Sequence, residues 1–243
     1  IADPYILSQE LAKLVAKGVN PRVNLRISKR AHLILPTHRM LDAAYELAMG
    51  AGKIGSTLKG IGPCYTDKTA RYGLRFGDIL APDFIQKYNS LKQRHSKILE
   101  SYNFDINTQF IDKTPFEEYE KNWFAAVEEL RTFPLIDSEL FINKALAEGK
   151  TILAEGAQGS LLDVDFGSYP YVTSSNTITA GVCSGLGVPP SAIGKVYGVF
   201  KAYCTRVGSG PFPTELSDTT GESLRNHGKE FGSTTGRPRR CGW

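Results

Sequence analysis

Apolar residues recur at helical spacing near the start of the chain. Residues 4–17 place these side chains on one face and are followed by Gly18, which predicts an amphipathic helix with a glycine cap. The apolar face consists of Ile6, Leu7, Leu11, Leu14 and Val15. Two short runs, 23–27 and 32–35, predict strands. A helix is expected over 37–49, with the threonine at its first position as the cap.

The middle of the chain, 78–148, contains no glycine and is rich in Leu, Lys, Glu and Phe. That composition predicts helices. The first should run over 81–102. The second should begin with the Thr-Pro-Phe-Glu sequence at 114–117, which reads as a capping box with proline at the first helical position, and should end at Pro134. The third is expected over 138–148.

Extended segments are predicted again after this helical region. Residues 151–154 form a short apolar run that leads into a glycine-rich loop, and 195–206 mixes β-branched with aromatic residues. Strands that alternate with helices favour an α/β fold, with ligand-binding loops at the carboxyl ends of the strands. We therefore predict a sheet flanked by helices with a helical insert, divided as 1–80, 81–149 and 150–243.

Composition narrows the function classes. The 243 residues are 41% hydrophobic, and no apolar run is long enough to cross a bilayer, so we expect a cytoplasmic protein without membrane partners. Four scattered cysteines favour neither a disulfide framework nor a zinc site. The net charge of +4 is too small to indicate nucleic-acid binding. The last dozen residues contain three arginines and no acidic residue, and such a local cluster of positive charge suits the binding of a small anion.

The segment 54–71 could bind an anion. Three glycines and two hydroxyls precede Lys68 and Arg71, whose spacing would place both cations on one helical face. Glycines let backbone amides approach an anion, hydroxyls donate to it and cations neutralise it. A surface turn with two solvated cations fits the same residues equally well.

The segments 155–163 and 169–177 could hold a planar ring. An apolar run that ends in a loop of small residues offers an uncharged site, and Gln158 can donate and accept at once, as the lactam edge of a purine requires. Hydroxyl and amide donors follow in 173–177. A hydroxyl-rich turn that bonds its own backbone remains the alternative.

The segment 231–243 could grip a carboxylate or phosphate. Its glycines and hydroxyls supply donors, and Arg237, Arg239 and Arg240 supply forked guanidinium groups that bind such anions in a bidentate manner. A basic terminal tail is the alternative. The triplet at 149–151 resembles the end of a phosphate-binding loop, but it lacks the upstream glycine and precedes a predicted strand. The four histidines lack metal-ligand spacing.

Together these segments resemble the adenylosuccinate synthetase family. The sequence from Gly60 to Arg71, Gly-Ile-Gly-Pro-x-Tyr-x-x-Lys-x-x-Arg, matches one of its two signatures. Four further features follow in the family's order: the loop 155–163, the run 169–177, the paired segments Thr205–Gly208 and Pro211–Glu215, and the final segment 234–243. The resemblance covers essentially the whole chain and implies a P-loop-NTPase-like α/β fold.

The resemblance also implies roles for residues that bind IMP. Thr57 and Thr173 are expected to donate to its 5′-phosphate, and Arg71 to reach that phosphate from the neighbouring subunit of a homodimer. Gln158 is expected to read the hypoxanthine ring. Lys68 belongs to the signature and is a candidate catalytic residue. Leu58 departs from the family, where a small or basic residue is common, which affects the expected path of the loop.

The last segment is implied to close on L-aspartate. The resemblance assigns aspartate binding to Ser233, Thr234, Thr235, Gly236, Arg237 and Arg239. Arg237 is expected to contact IMP as well, and Arg239 to serve GTP. The family's other signature, Gln-Trp-Gly-Asp-Glu-Gly-Lys-Gly-Lys, and its guanine-reading Thr-Lys-x-Asp element are not in this chain. The chain is therefore interpreted as an internal fragment without the family's catalytic base and acid or its ligands for Mg²⁺.

The implied activity is the GTP-dependent joining of IMP to L-aspartate in purine biosynthesis, with this fragment inactive alone. A non-catalytic module that binds a nucleoside monophosphate or another anion is the alternative. Nucleic-acid binding through the terminal arginines is a weaker one, because the rest of the chain has no basic face.

Overall fold

The first helix follows from local sequence signals. In the computed structural model, which describes residues 1–50, 55–232 and 236–243, α1 spans Pro4–Ala16. Asp3 caps it, since one carboxylate oxygen accepts hydrogen bonds from the backbone N–H groups of Tyr5 at 2.9 Å and Ile6 at 3.5 Å. The helix predicted over 4–17 is confirmed to within one residue.

The remaining helices of the described residues have 4 to 18 residues, whereas the strands have only two or three. The helices are α2 Pro21–Asn24, α3 Pro36–Met49, α4 Ile61–Ala70, α5 Phe84–Ser101, α6 Phe116–Leu130, α7 Ser138–Ala147, α8 Ala180–Leu186 and α9 Thr219–His227. The strands are β1 Ile27–Ser28, β2 Phe110–Ile111, β3 Thr114–Pro115, β4 Leu135–Ile136, β5 Cys204–Arg206 and β6 Arg240–Gly242. Strands β1 and β4 are parallel, whereas β2–β3 and β5–β6 are antiparallel.

The described chain divides into two compact units. The first unit comprises Ile1–Ala48, Leu58–Ala154 and Val182–Val188, and the second comprises Met49–Thr57, Glu155–Gly181 and Pro189–Trp243. The sequence-based boundaries at 80 and 149 remain a prediction. No helix among the described residues is long and apolar enough to span a membrane.

The core of the first unit is built on aromatic side chains. Trp123 of α6 is fully buried and donates its indole N–H to the backbone oxygen of Ile34 at 2.9 Å. Tyr88 packs against Trp123 with ring centroids 5.3 Å apart, and Phe124 lies 4.6 Å from Tyr88. The helix predictions for 81–102, 114–134 and 138–148 are confirmed as α5, α6 and α7, with shifted ends.

Two local predictions in the first unit are wrong. The predicted capping box does not form, because the residue before α6 is Pro115 and its side chain makes no cap hydrogen bond, while Thr114 pairs with Ile111 in β3–β2. In the strand predicted over 23–27, residues 23–24 are helical, 25–26 have no regular structure and only Ile27 belongs to a strand, since Asn20 caps α2 and accepts a hydrogen bond from the backbone N–H of Arg22 at 3.1 Å. The run 32–35 forms only isolated bridges.

The strands predicted at 151–154 and 195–206 are largely wrong. Only the end of the second forms a strand, as β5, which pairs with β6 through Thr205 and Cys241. Leu153 is 85% exposed and Val199 is 99% exposed. A strand needs a neighbour to receive its backbone hydrogen bonds, and among the described residues no strand pairs with 151–154 or with 195–203.

Candidate functional site

Helix α4 carries the first group of predicted site residues, and its start requires glycine. Gly60 precedes it with φ at +73°, and a Cβ there would lie 2.9 Å from the backbone nitrogen of Arg39. The backbone N–H of Gly60 donates to a carboxylate oxygen of Asp42 at 2.9 Å. Leu58 also has a left-handed backbone, with φ at +56°, a conformation that a small residue adopts more easily.

The two cations of this segment lie on exposed surface at the end of α4. Lys68 is exposed, and its ammonium group lies 5.1 Å from the centroid of the Tyr65 ring. Arg71 is also exposed, but it follows the helix as its C-terminal cap with φ at +68°. The prediction that both cations share one helical face is therefore wrong for Arg71, because the backbone leaves the helix before it.

Asp67 of α4 has a buried carboxylate that contacts two histidines outside this helix. The Oδ2 atom of Asp67 lies 3.0 Å from Nε2 of His38 and 2.8 Å from Nε2 of His95. The backbone N–H of Leu35 donates to Nδ1 of His38 at 2.9 Å, so Nε2 of His38 carries the proton and donates to Asp67. Thr37 Oγ1 lies 2.7 Å from Nδ1 of His95.

This His-Asp-His cluster does not suit magnesium. Within the part of the chain that the structure describes, it is the group of three potential metal ligands that lie within 4.8 Å of one another. Magnesium prefers oxygen ligands and octahedral geometry, whereas two of these ligands are imidazoles. Because Nε2 of His38 carries a proton and donates it to Asp67, this nitrogen has no lone pair for a metal, and the cluster acts as a hydrogen-bonded support. Burial raises the pKa of the Asp67 carboxyl, but the bonds from His38 and His95 outweigh it and hold that pKa well below its usual range.

The loop with Gln158 belongs to the second unit and is organised by Asp163. Gln158 is exposed with φ at +65°. The fully buried Asp163 accepts hydrogen bonds from the backbone N–H groups of Asp165, Phe166, Thr177 and Ile178, at 2.7 to 3.3 Å. These bonds outweigh burial and lower the pKa of Asp163. They join the predicted ring-binding loop to the hydroxyl-rich run.

Two bonds extend this connection within the second unit. The hydroxyl of Thr177 donates to the backbone oxygen of Gly159 at 2.8 Å, and the backbone N–H of Thr173 donates to that of Leu162 at 2.9 Å. Thr173 is half-buried. The structure therefore brings the segments of Gln158 and Thr173 together, as a shared ligand would require.

The last predicted segment also lies in the second unit. Ser233, Thr234 and Thr235 fall outside the described residues. The backbone N–H of Gly236 donates to the backbone oxygen of Gly232 at 2.7 Å, and the backbone N–H of Gly232 donates to the backbone oxygen of Arg237 at 2.8 Å. The guanidinium of Arg237 lies 3.4 Å from the backbone oxygen of Gly55, two residues before the exposed Thr57. A Cβ at Gly55 would lie 2.6 Å from Nη1 of Arg237, so glycine permits this approach.

Sequence reasoning missed three buried acids that organise these segments. Asp67 supports α4, Asp163 ties two loops together, and Glu230, which is 3% exposed, contacts Arg239 at 2.7 Å. Asp67 and Asp163 lay inside the quoted motifs without a role, and Glu230 lay beside one. An isolated acid carries no local signal that its partners lie far away in the sequence.

Comparisons with known proteins identify the family to which the whole chain is similar. The family model described as adenylosuccinate synthetase matches residues 1–243. The curated adenylosuccinate synthetase of Cytophaga hutchinsonii is 60% identical over 98% of this chain and 54% of its own length, and that of Bacteroides fragilis is 58% identical over 100% and 55%. The chain spans about half the length of the curated relatives it matches.

Solved structures show the same likeness. A fully ligated adenylosuccinate synthetase from Plasmodium falciparum superposes with a TM-score of 0.83 at 37% identity, over 97% of this chain and 54% of that one. A cyanophage S-2L succinoaminodeoxyadenylate synthetase, with a TM-score of 0.58 at 22% identity over 96% and 55%, shares the fold. The predicted P-loop-NTPase-like α/β fold is confirmed.

Proposed function

The chain belongs to the adenylosuccinate synthetase family, and we propose that it is the substrate-holding part of a GTP-dependent IMP–aspartate ligase. The complete protein would convert IMP, L-aspartate and GTP into adenylosuccinate, GDP and phosphate. Contact between Arg237 and Gly55 is the observation that carries the proposal furthest. It joins the predicted aspartate loop to the predicted phosphate loop, although 182 residues separate them.

The proposed chemistry has two steps. The γ-phosphoryl group of GTP passes to the oxygen on carbon 6 of IMP, which makes 6-phosphoryl-IMP and releases GDP. The amine of aspartate then attacks carbon 6, phosphate leaves with the C–O bonding electrons, and the amine loses a proton. Phosphoryl transfer depends mainly on positioning and charge neutralisation. The residues of this chain would do the positioning.

Each role is implied by the family resemblance and is compatible with the chemistry of the side chain. Thr57 and Thr173 would donate hydroxyl protons to the 5′-phosphate, and Gln158 would pair with the ring edge, since its amide both donates and accepts. Arg71, exposed at the end of α4, would reach the phosphate of the partner subunit's IMP. Lys68, exposed on the same helix, is a candidate for the reacting end.

The closing loop would bind the second substrate. Arg237 would contact aspartate and IMP, and Arg239 would bind aspartate and the nucleotide through its forked donors. Ser233, Thr234, Thr235 and Gly236 would add hydroxyl and backbone donors. Bound Mg²⁺ would neutralise charge on the GTP phosphates, and we assign it no ligand among the described residues. We expect the site to operate in the cytoplasm, and the chain alone to be inactive.

Arg71→Leu tests the proposal in a protein of the relatives' full length that carries this chain. Loss of a charge-assisted phosphate contact, about 1.5–3 kcal/mol, should raise the KM for IMP about 10- to 100-fold. Adenylosuccinate formation is followed by absorbance. Arg30→Leu is the control, because Arg30 is an exposed arginine that pairs with Glu139. No turnover by the unsubstituted protein would contradict the ligase, and IMP binding without turnover would favour the anion-binding module.

The homodimer has its own test with the same variant. If Arg71 acts across the interface, mixing Arg71→Leu with Arg237→Leu protomers should produce mixed dimers with one intact site and one doubly impaired site. Assayed at an IMP concentration well below the raised KM, about a quarter of the normal activity should return at random assortment, since half of the dimers are mixed and each has one intact site. Two impaired parents whose activity does not rise on mixing would place Arg71 in its own subunit's site.

A further inference from the structure

Glu230 is a buried acid at the base of the last loop. The residue is 3% exposed, and its two carboxylate oxygens receive four hydrogen bonds. Oε1 accepts from the ammonium of Lys201 at 2.7 Å and from the hydroxyl of Tyr203 at 2.8 Å. Oε2 accepts from Lys201 at 2.8 Å and from Nη1 of Arg239 at 2.7 Å. Such charge-assisted bonds are the strongest hydrogen bonds in proteins.

The backbone reinforces the same pair. The N–H of Arg239 donates to the backbone oxygen of Glu230 at 2.9 Å, and Phe231 forms an antiparallel bridge with Pro238. Arg225 donates from Nε to the backbone oxygen of Arg239 at 2.9 Å. Glu230 and Arg239 therefore face each other across the two ends of the loop, and both the main chain and the guanidinium of Arg239 are fixed.

Charge at this point favours an anionic ligand. Lys201 and Arg239 together carry two positive charges, whereas Glu230 carries one negative charge, so a net positive charge remains at the base of the loop. The donors outweigh burial and lower the pKa of Glu230 to about 2, which keeps it ionised at neutral pH. Glu230 binds Nη1 of Arg239, and a guanidinium has further donors on Nη2 and Nε that can meet a carboxylate or phosphate.

We propose that Glu230 is a positioning residue that fixes the guanidinium of Arg239 for the anion bound by this loop. The anion is either the carboxylate of aspartate or a phosphate of GTP, which present the same oxygen acceptors. The inference rests on the proposed function, because that function makes Arg239 a ligand-binding residue. Glu230 thereby sets the affinity for aspartate, for GTP or for both, and leaves IMP binding alone.

Glu230→Gln in the full-length protein tests the inference. Glutamine keeps the shape and accepts a hydrogen bond, but it loses the charge that orients two cations. We expect a rise of about tenfold in the KM for aspartate or for GTP, as for the loss of about 1.4 kcal/mol. The KM for IMP should change less than about twofold, and kcat less than about threefold. Saturation curves for each substrate tell the two anions apart.

Two further variants separate positioning from folding. Glu215→Gln is the matched control, because Glu215 forms a close ion pair in the same unit with Arg240, a third arginine of this segment to which the proposed function gives no role. It should leave every KM unchanged. Tyr203→Phe removes one bond to Glu230 and no charge, so it should shift the same KM in the same direction by about two- to threefold. This mild change stays informative if Glu230→Gln misfolds.

The outcomes are distinct. If Glu230→Gln retains synthetase activity with unchanged KM values for aspartate and GTP, the inference alone is overturned. If that variant misfolds, the same result in Tyr203→Phe overturns it. A fall in kcat with every KM unchanged would show a purely structural role and overturn it equally. Absence of synthetase activity in the unsubstituted protein would overturn both the proposed function and the inference. A rise in the KM for aspartate, for GTP or for both, with the KM for IMP and the Glu215→Gln variant unaffected, would support it.

Discussion

Replacing Asp67 with asparagine should destabilise the first unit by about 2 kcal/mol. Asp67 receives hydrogen bonds from His38 and His95, whose side chains are completely buried. Both bonds end on Oδ2, so the amide oxygen of asparagine, which has two lone pairs, can still accept from both histidines. A bond to a charged group contributes about 1.5–3 kcal/mol and a neutral one about 0.5–1.5 kcal/mol, so the variant loses about 1 kcal/mol at each of the two bonds.

Urea unfolding can isolate this effect. The chain has two tryptophans, of which Trp123 is buried in the core of the first unit and Trp243 is 62% exposed. In a Trp243→Phe background, fluorescence reports on the surroundings of Trp123 alone. The midpoint should fall at an unchanged slope, because the same surface is exposed on unfolding. The control is Glu128→Gln, which breaks an exposed ion pair with Arg131 and should cost less than about 0.5 kcal/mol.

The pH dependence gives the same reasoning a second test. The folded-state pKa of Asp67 is depressed, so its stabilising contribution is complete above the unfolded value and is lost as pH falls through the folded one. Asp67→Asn should therefore approach the unsubstituted protein in stability towards strongly acidic pH. A loss below about 1 kcal/mol at neutral pH would refute the claim that the two histidine bonds support α4.

Two other predictions concern buried titratable groups. Burial, and to a smaller extent the charge of Arg75, lower the pKa of His32 from 6.5 to about 4. As pH falls from 6.5 to about 4 the unfolded state therefore binds a proton before the folded state does, and stability should decline by about 2 kcal/mol after allowance for solvent screening. His32→Gln should flatten that decline in urea titrations. Burial raises the pKa of the Cys64 thiol to about 12, so iodoacetamide at pH 8 should modify the exposed Cys204 at least about 100-fold faster, as peptide mass spectrometry can show.

Helices were predictable because their signals are local. The apolar spacing in 4–17 and the glycine-free composition of 78–148 lie within single windows of sequence, and α1, α5, α6 and α7 follow them. Strands depend on partners elsewhere. The β-branched and aromatic content of 195–206 favours extended backbone, but Phe200 is 92% exposed because no described segment pairs with it. Sequence alone does not reveal whether the partner is present.

The candidate site divides in the same way. Glycines, hydroxyls and cations that lie close together in the sequence could be recognised as motifs, and Arg237 and Arg239 were named from the sequence. The acids behind them were not, because each depends on distant contacts. Asp67 meets its histidines across 29 and 28 residues, and Glu230 meets Lys201 across 29. The family resemblance added roles for cations but none for these supports.

The supporting acids must hold the binding cations without neutralising them. A carboxylate that shared all of a cation's donors would compete with the ligand's own oxygens. Asp67 avoids this competition because its Oδ2 accepts from two imidazoles, and Lys68, the next residue of α4, is exposed. Glu230 avoids it because Lys201 and Tyr203 occupy Oε1, and its contact with Arg239 runs through Nη1. Each acid is therefore ionised and buried beside a proposed binding cation that keeps donors for an anion. Removing Glu230 should accordingly act through the orientation of Arg239, and removing Asp67 through local stability.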